Sequence, residues 1–222
     1  GFDFGNGRGR KLMETLNELV GRYPALKNCK GDIERAREIL VETFDSGNKL
    51  MICGNGGSAA DSDHIVGELS KGFLKKRPIP ERDREKLKEL YPDEWEKLAD
   101  GLQCGLPAVS LHSQSALLTA FVNDVEPDMM YAQELYALGK DGDALIAIST
   151  SGNSKNVVNA AKLARIMGIK VIALTGERES ALSSLADVCI RVGEHETYRV
   201  QELHLPVYHY LCAAVEDRFY AE

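Results

Sequence analysis

A chain of 222 residues, 44% of them apolar and 27% charged, has enough apolar surface for a buried core, and that excludes a disordered chain. With 27 Lys and Arg against 34 Asp and Glu the formal charge is −7, so polyanions and acidic membrane surfaces are repelled at long range, and neither nucleic acid nor a membrane is an expected partner. No run approaches the roughly 20 apolar residues of a membrane span, and five scattered cysteines without a Cys-x-x-Cys pair suit reduced thiols in a cytoplasm.

Residues 1–10, GFDFGNGRGR, read as a leader or cloning remnant without the apolar centre of a secretory signal. Residues 11–222 read as one domain. Within it, 11–48 hold two amphipathic helical stretches, Leu12 to Leu19 and Ile33 to Phe44, which precede the first strand and are expected to serve assembly. Short β-rich runs then alternate with helical segments. KLMIC (49–53), PAVSL (107–111), ALIAI (144–148), KVIAL (170–174) and VCIRV (188–192) read as buried parallel strands. Helices are expected from about Ala59 to Phe73, from Asn153 to Met167 with Gly168 as a stop, and from Arg199 to Phe219. This rhythm predicts an α/β fold, a five-stranded parallel sheet with helices on both faces and right-handed crossovers.

One stretch breaks the rhythm. Residues 75–104 form a charged helical insertion in which Lys75 to Asp100 carries eight basic and eight acidic residues. Leu87, Leu90, Tyr91, Trp95 and Leu98 fall on one helical face, and Pro92 splits the stretch into two short helices, with Asp93 in the first turn of the second. The stripe is expected to pack on the body or a neighbouring subunit, with a substrate lid as the alternative.

Two turns can hold an anion. KLMIC runs into Gly54-Asn55-Gly56-Gly57-Ser58 and then a helix, so glycines let a phosphate approach unpaired backbone N–H groups at the helix start. The turn also fits G-x-G-x-x-A, but the acidic residue that a dinucleotide site needs about 20 positions on is missing, which argues against a nucleotide-dependent oxidoreductase, and no Walker motif occurs. After ALIAI comes Ser149-Thr150-Ser151-Gly152-Asn153-Ser154, either a capped polar loop or a second anion turn. Both turns follow strands of one parallel sheet and both lack lysine, which suits a phosphate monoester better than a triphosphate.

Beyond the first turn, His64 and Glu68 share one helical face. The pair is either a surface interaction or part of a metal or catalytic site. On the last helix Gln201, His204 and His209 interrupt an apolar pattern, and a lone His in such a stretch can equally be a hydrogen-bonded core residue.

The blocks ICGNGGSAADSDHIVGEL, LLTAFVND, GDALIAISTSGNSKNVVNAAKLARIMGIKVIALTG and RVQELHLPVYHYLCAAVE resemble the sugar isomerase (SIS) superfamily, and within it the phosphoheptose isomerase group. The resemblance implies a flavodoxin-like three-layer fold, a homotetramer, and an aldose–ketose isomerase converting sedoheptulose 7-phosphate to D-glycero-D-manno-heptose 7-phosphate through an enediol. It assigns Asn55, Gly56, Gly57, Ser58, Asn123, Asp124, Ser149, Thr150, Ser151, Ser154 and Gln201 to the substrate and its phosphate. His64, Glu68, Gln201 and His209 become zinc ligands, with Glu68 as base and His209 as acid. A non-catalytic relative that binds sugar phosphate or a replication initiator keeps the turns but not the Glu68 and His209 pair. Three departures stand out: Gln114 where the group has an acidic residue, Lys71-Gly72-Phe73 where it often has an arginine, and the long 75–104 insertion.

Overall fold

A computed structural model describes residues 13–220; the leader expected over 1–10 and Leu12 lie outside them, and the helix expected over Leu12 to Leu19 begins only at Leu16, because Thr15 caps it in a capping box with Glu18. Five strands, β1 (Leu50–Cys53), β2 (Ala108–Ser110), β3 (Ala144–Ile148), β4 (Lys170–Thr175) and β5 (Val188–Arg191), form one sheet. All pairings are parallel and the order is β2-β1-β3-β4-β5, the doubly wound order in which the chain changes direction between β1 and β3.

Period-two alternation divides the strands between two cores. Leu50 and Ile52, with Ala144, Ile146 and Ile148, face one side, while Met51 and Cys53, with Leu145 and Ala147, face the other. The first face is covered by α1 (Leu16–Arg22), α2 (Lys30–Asp45), α3 (Gly57–Ser70) and α10 (Thr197–Phe219). The second is covered by α7 (Met130–Leu138), α8 (Lys155–Ile166) and α9 (Ala181–Leu185). Because both faces are buried, the strands read as continuous apolar runs.

Residues 75–104 leave this body as a separate excursion. Pro78 and Gln103 pair in an antiparallel bridge at its base, and α4 (Glu81–Leu90) and α5 (Trp95–Gly101) lie beyond it. The second of these helices starts at Trp95 with Glu94 as its cap, so Asp93 precedes the first turn and does not sit in it. The apolar stripe is not packed on the body either: Leu90 is 67% and Tyr91 51% exposed. Trp95 is covered instead by cations of the excursion, Arg84 at 5.7 Å and Lys88 at 5.5 Å from its ring centre. Between β2 and β3, α6 (Ser115–Asp124) is strongly apolar yet buries no residue.

A buried ion pair joins the base of the excursion to α10. Arg77 and Glu216 are each 1% exposed, and Arg77 Nε donates to Glu216 Oε1 at 2.9 Å. The carboxylate also accepts from the backbone N–H groups of Phe73 and Leu74, both at 2.8 Å. Arg77 donates in turn to the carbonyls of Leu69 (2.7 Å) and Glu68 (3.3 Å), satisfying two orphan acceptors at the end of α3.

Candidate active site

Strand β1 ends in the glycine turn and β3 in the hydroxyl turn, so both anion turns lie beside each other where strand order reverses. Gly56 caps α3 with φ +55°, and neither it nor Ser154, the cap of α8, closes its helix with a side-chain hydrogen bond. In the first turn of α3 the Ser58 and Ala59 N–H groups donate to the Asn55 and Gly56 carbonyls, and in that of α8 the Val157 N–H donates to Asn156 Oδ1 at 2.9 Å. Gly152 has φ +67°, and a Cβ there would stand 2.1 Å from Ser180 Oγ, so only glycine fits. Ser149 Oγ lies 3.0 Å from Ser154 Oγ and 3.5 Å from Ser151 Oγ, gathering three hydroxyls, and the Thr150 carbonyl accepts from Gly176 N–H.

Asn55 is held by two residues that sequence reading did not single out, Asn156 beyond the second turn and Tyr131. Asn55 and Asn156 exchange reciprocal amide hydrogen bonds, each 2.9 Å. Tyr131 donates to the Gly54 carbonyl at 2.6 Å and stands 3.1 Å from Asn55 Oδ1. Asn156 follows the ISTSGNS block by two residues, the only signal that could have marked it. Asn123 and Asp124, at the end of α6, are exposed, and the side-chain amide of Asn123 donates to Asp124.

Helices α3 and α10 run side by side in the same direction. Gln201 lies over Gly57, whose missing side chain makes room for the Gln201 amide. Further along, His209 Nε2 is 3.4 Å from His64 Nε2, and His64 Nε2 is 3.3 Å from Glu68 Oε1. Helix α10 continues through Pro206. Burial, then the neighbouring His64, holds the His209 imidazole below its ordinary pKa. The core histidine on this helix is His204, which is fully buried, lies 3.3 Å from the Thr175 carbonyl through Nε2, and is pushed down to about 4 by desolvation. His209 also borders a cleft of about 890 Å³ whose walls include Arg22, Tyr23, Phe73, Leu205 and Tyr210.

In residue type, the donors His64, Glu68 and His209 are those of a zinc site. Two ligands about 2.0 to 2.1 Å from a tetrahedral ion stand roughly 3.3 to 3.4 Å apart, the spacing of both His64 pairs. Glu68 Oε2 is buried with no hydrogen-bond partner and faces Lys71 Nζ at 3.6 Å, and the mixed nitrogen and oxygen donors leave room for a substrate oxygen. As the side chains stand, no three His, Cys, Asp or Glu residues among those described enclose a common point, and Gln201 stands about two turns of α10 from His209.

A doubly wound sheet with two glycine- and serine-rich turns at its switch point has a counterpart among known proteins: a family model described as the SIS domain matches residues 16–85 and 97–176, and the chain belongs to that family. The gap in the match, 86–96, falls inside the excursion. Phosphoheptose isomerases are among its relatives. The one from Akkermansia muciniphila is 35% identical over 207 residues, covering 92% of this chain and 96% of its own, and that from Aliarcobacter butzleri is 37% identical over 207 residues, covering 93% and 89%. The solved structure of a phosphoheptose isomerase from Neisseria gonorrhoeae matches with a TM-score of 0.69 at 30% identity, covering 91% of this chain and all of that one.

Proposed function

We propose that this phosphosugar isomerase interconverts sedoheptulose 7-phosphate and D-glycero-D-manno-heptose 7-phosphate through an enediol. The observation that carries the reading is the arrangement along α3. Its N-terminus at the glycine turn, with the positive end of the helix dipole, offers an anion site, and His64 and Glu68 follow seven and eleven residues later, roughly 10 and 16 Å along the axis. That separation is on the scale of an extended open-chain heptose ester, with phosphate at one end and the reacting carbons at the other.

The roles follow from chemistry. Backbone N–H groups of the two turns, with Ser58, Ser149, Thr150, Ser151 and Ser154, hold the phosphate, and Asn55 and Gln201 meet sugar hydroxyls. Remote phosphate binding fixes the orientation of the carbons that exchange a proton. Glu68 removes the carbon-bound proton and returns it to the neighbouring carbon, while His209 services the oxygens. Zinc, held by His64, Glu68, Gln201 and His209, would supply Lewis-acid polarisation of the carbonyl.

The same reading makes the protein a homotetramer, with apolar α6 among the surfaces an assembly covers; Val122 is 50% and Val125 64% exposed in the single chain. Metal analysis of the purified protein, beside turnover assays on C5 to C7 sugar phosphates, tests the function. One zinc per chain and turnover of the heptose phosphate are expected. Absence of both would leave a non-catalytic sugar-phosphate-binding protein, and a dilute monomer in light scattering would remove the tetramer.

A further inference from the structure

We propose that Asp61 and Tyr208 are positioning residues that hold His64 in its Nδ1-protonated form, so that the Nε2 lone pair faces His209 and Glu68. The value of that orientation rests on the reading of those three residues as donors to one ion; the hydrogen-bond relay stands on its own geometry.

Tyr208 is 1% exposed, and its hydroxyl has two partners. It donates to Asp61 Oδ1 at 3.0 Å, and His64 Nδ1 lies 3.1 Å from the same oxygen. A phenol has one proton, and an ionised carboxylate can only accept. The proton therefore points at Asp61 and the phenolic oxygen accepts from His64 Nδ1–H; Glu68 Oε1, 3.3 Å from His64 Nε2, competes for the same imidazole proton, and the relay is what keeps it on Nδ1.

Helix α3 supplies both ends of the relay, Asp61 and His64, on one face three residues apart, and α10 supplies the middle. Tyr208 precedes His209, so the residue that orients one imidazole is covalently next to the other. The Tyr208 and His64 rings meet edge to face with centres 5.5 Å apart, which limits rotation of the imidazole. Metal-binding histidines elsewhere use such an outer partner to fix tautomer and ring plane, and its loss typically weakens metal binding about 10- to 100-fold.

The test uses the purified full chain, stripped of metal by chelation. Long-range nitrogen-15 NMR, at a pH well above the imidazole range, reads the tautomer of His64 in the wild type and in Asp61→Ala and Tyr208→Phe. Zinc affinity is measured in parallel by competition with a chromogenic chelator, and thermal unfolding reports whether each variant folds. The wild type is expected to carry the proton on Nδ1. In Asp61→Ala the Tyr208 proton is released to donate to Nδ1, so His64 moves to the Nε2–H form, and both variants bind zinc at least about 10-fold more weakly. An Nε2–H tautomer in the wild type, or a tautomer and affinity unchanged by Asp61→Ala, overturns the relay. Should Tyr208→Phe fail to fold, Asp61→Ala, at a partly exposed position, carries both readouts. A wild type that takes up no zinc refutes the metal reading alone, because the NMR arm still decides the relay.

Discussion

His64 and His209 are 145 residues apart in the chain and 3.4 Å apart through their Nε2 atoms. Their meeting depends on α3 and α10 packing in parallel, with Gln201 over Gly57 at one end and Glu216 holding the Phe73 and Leu74 amides at the other. His209→Ala is expected to reduce turnover at least about 100-fold, the size of a lost acid–base group, with little change in melting temperature because the side chain is half-buried. His204→Ala is expected to lower the melting temperature by opening the core, since His204 is fully buried. Equal loss of activity with equal loss of stability in both variants would contradict this division of roles.

The proposed role of Glu68 as base predicts that binding and chemistry separate. Glu68→Gln keeps the shape of the side chain but cannot take a proton, so kcat should fall by about 100-fold or more. The turns proposed to hold the phosphate are roughly 16 Å away along α3 and untouched, so the affinity for the sugar phosphate, read by calorimetry, should stay within a few-fold of wild type. An affinity that collapses together with kcat would place Glu68 in ground-state binding.

Gly152 should report on the second turn. In Gly152→Ala the new methyl meets Ser180 Oγ and the left-handed backbone costs roughly 1–2 kcal/mol, so the Ser149, Ser151 and Ser154 hydroxyls lose their arrangement. KM is expected to rise more than kcat falls. A kcat loss with unchanged KM would mean that this turn does not hold the substrate.

The buried Arg77 and Glu216 pair fixes the chain just after α3. Arg77→Met leaves Glu216 as a buried, unpaired carboxylate, although its backbone donors remain, and the expected destabilisation is about 3–5 kcal/mol in denaturant unfolding. The double variant Arg77→Met, Glu216→Leu should recover part of that loss, because the uncompensated charge is then gone. A single variant as stable as wild type would reduce the pair to a surface-like contribution.

The strands and both turns were legible because a doubly buried parallel sheet writes itself as short apolar runs and because glycine and serine clusters mark strand ends. His64 and Glu68 were visible through their four-residue spacing on one helix. Tyr131, Asn156, Asp61 and Tyr208 were not: their hydrogen bonds join residues of different elements, and no period in the sequence encodes such a contact. The charged insertion was legible only as a face. Its apolar stripe has the helical spacing of a packed face, yet Leu90 and Tyr91 remain exposed and Trp95 is covered by Arg84 and Lys88. Periodicity reports which residues share a face, and it carries no information on whether a partner covers that face.

Glu134, on α7, gives stability a pH dependence that the chemistry does not need. It is 1% exposed, both carboxylate oxygens lack a hydrogen-bond partner, and burial pushes its pKa up from 4.5 to about 7. The folded state therefore keeps this proton while the unfolded chain loses it, so the folded state binds more protons between pH 4.5 and about 7. The contribution of Glu134 is full below 4.5, falls as the pH rises through that window, and is lost above about 7. Glu134→Gln has no charge to bury, and its unfolding free energy should lack this slope. The variant should gain on the wild type steadily from acid to neutral pH and hold a constant advantage beyond it. Parallel curves for the two proteins across the window would show that Glu134 is ionised in the folded state and solvated by a route other than protein hydrogen bonds.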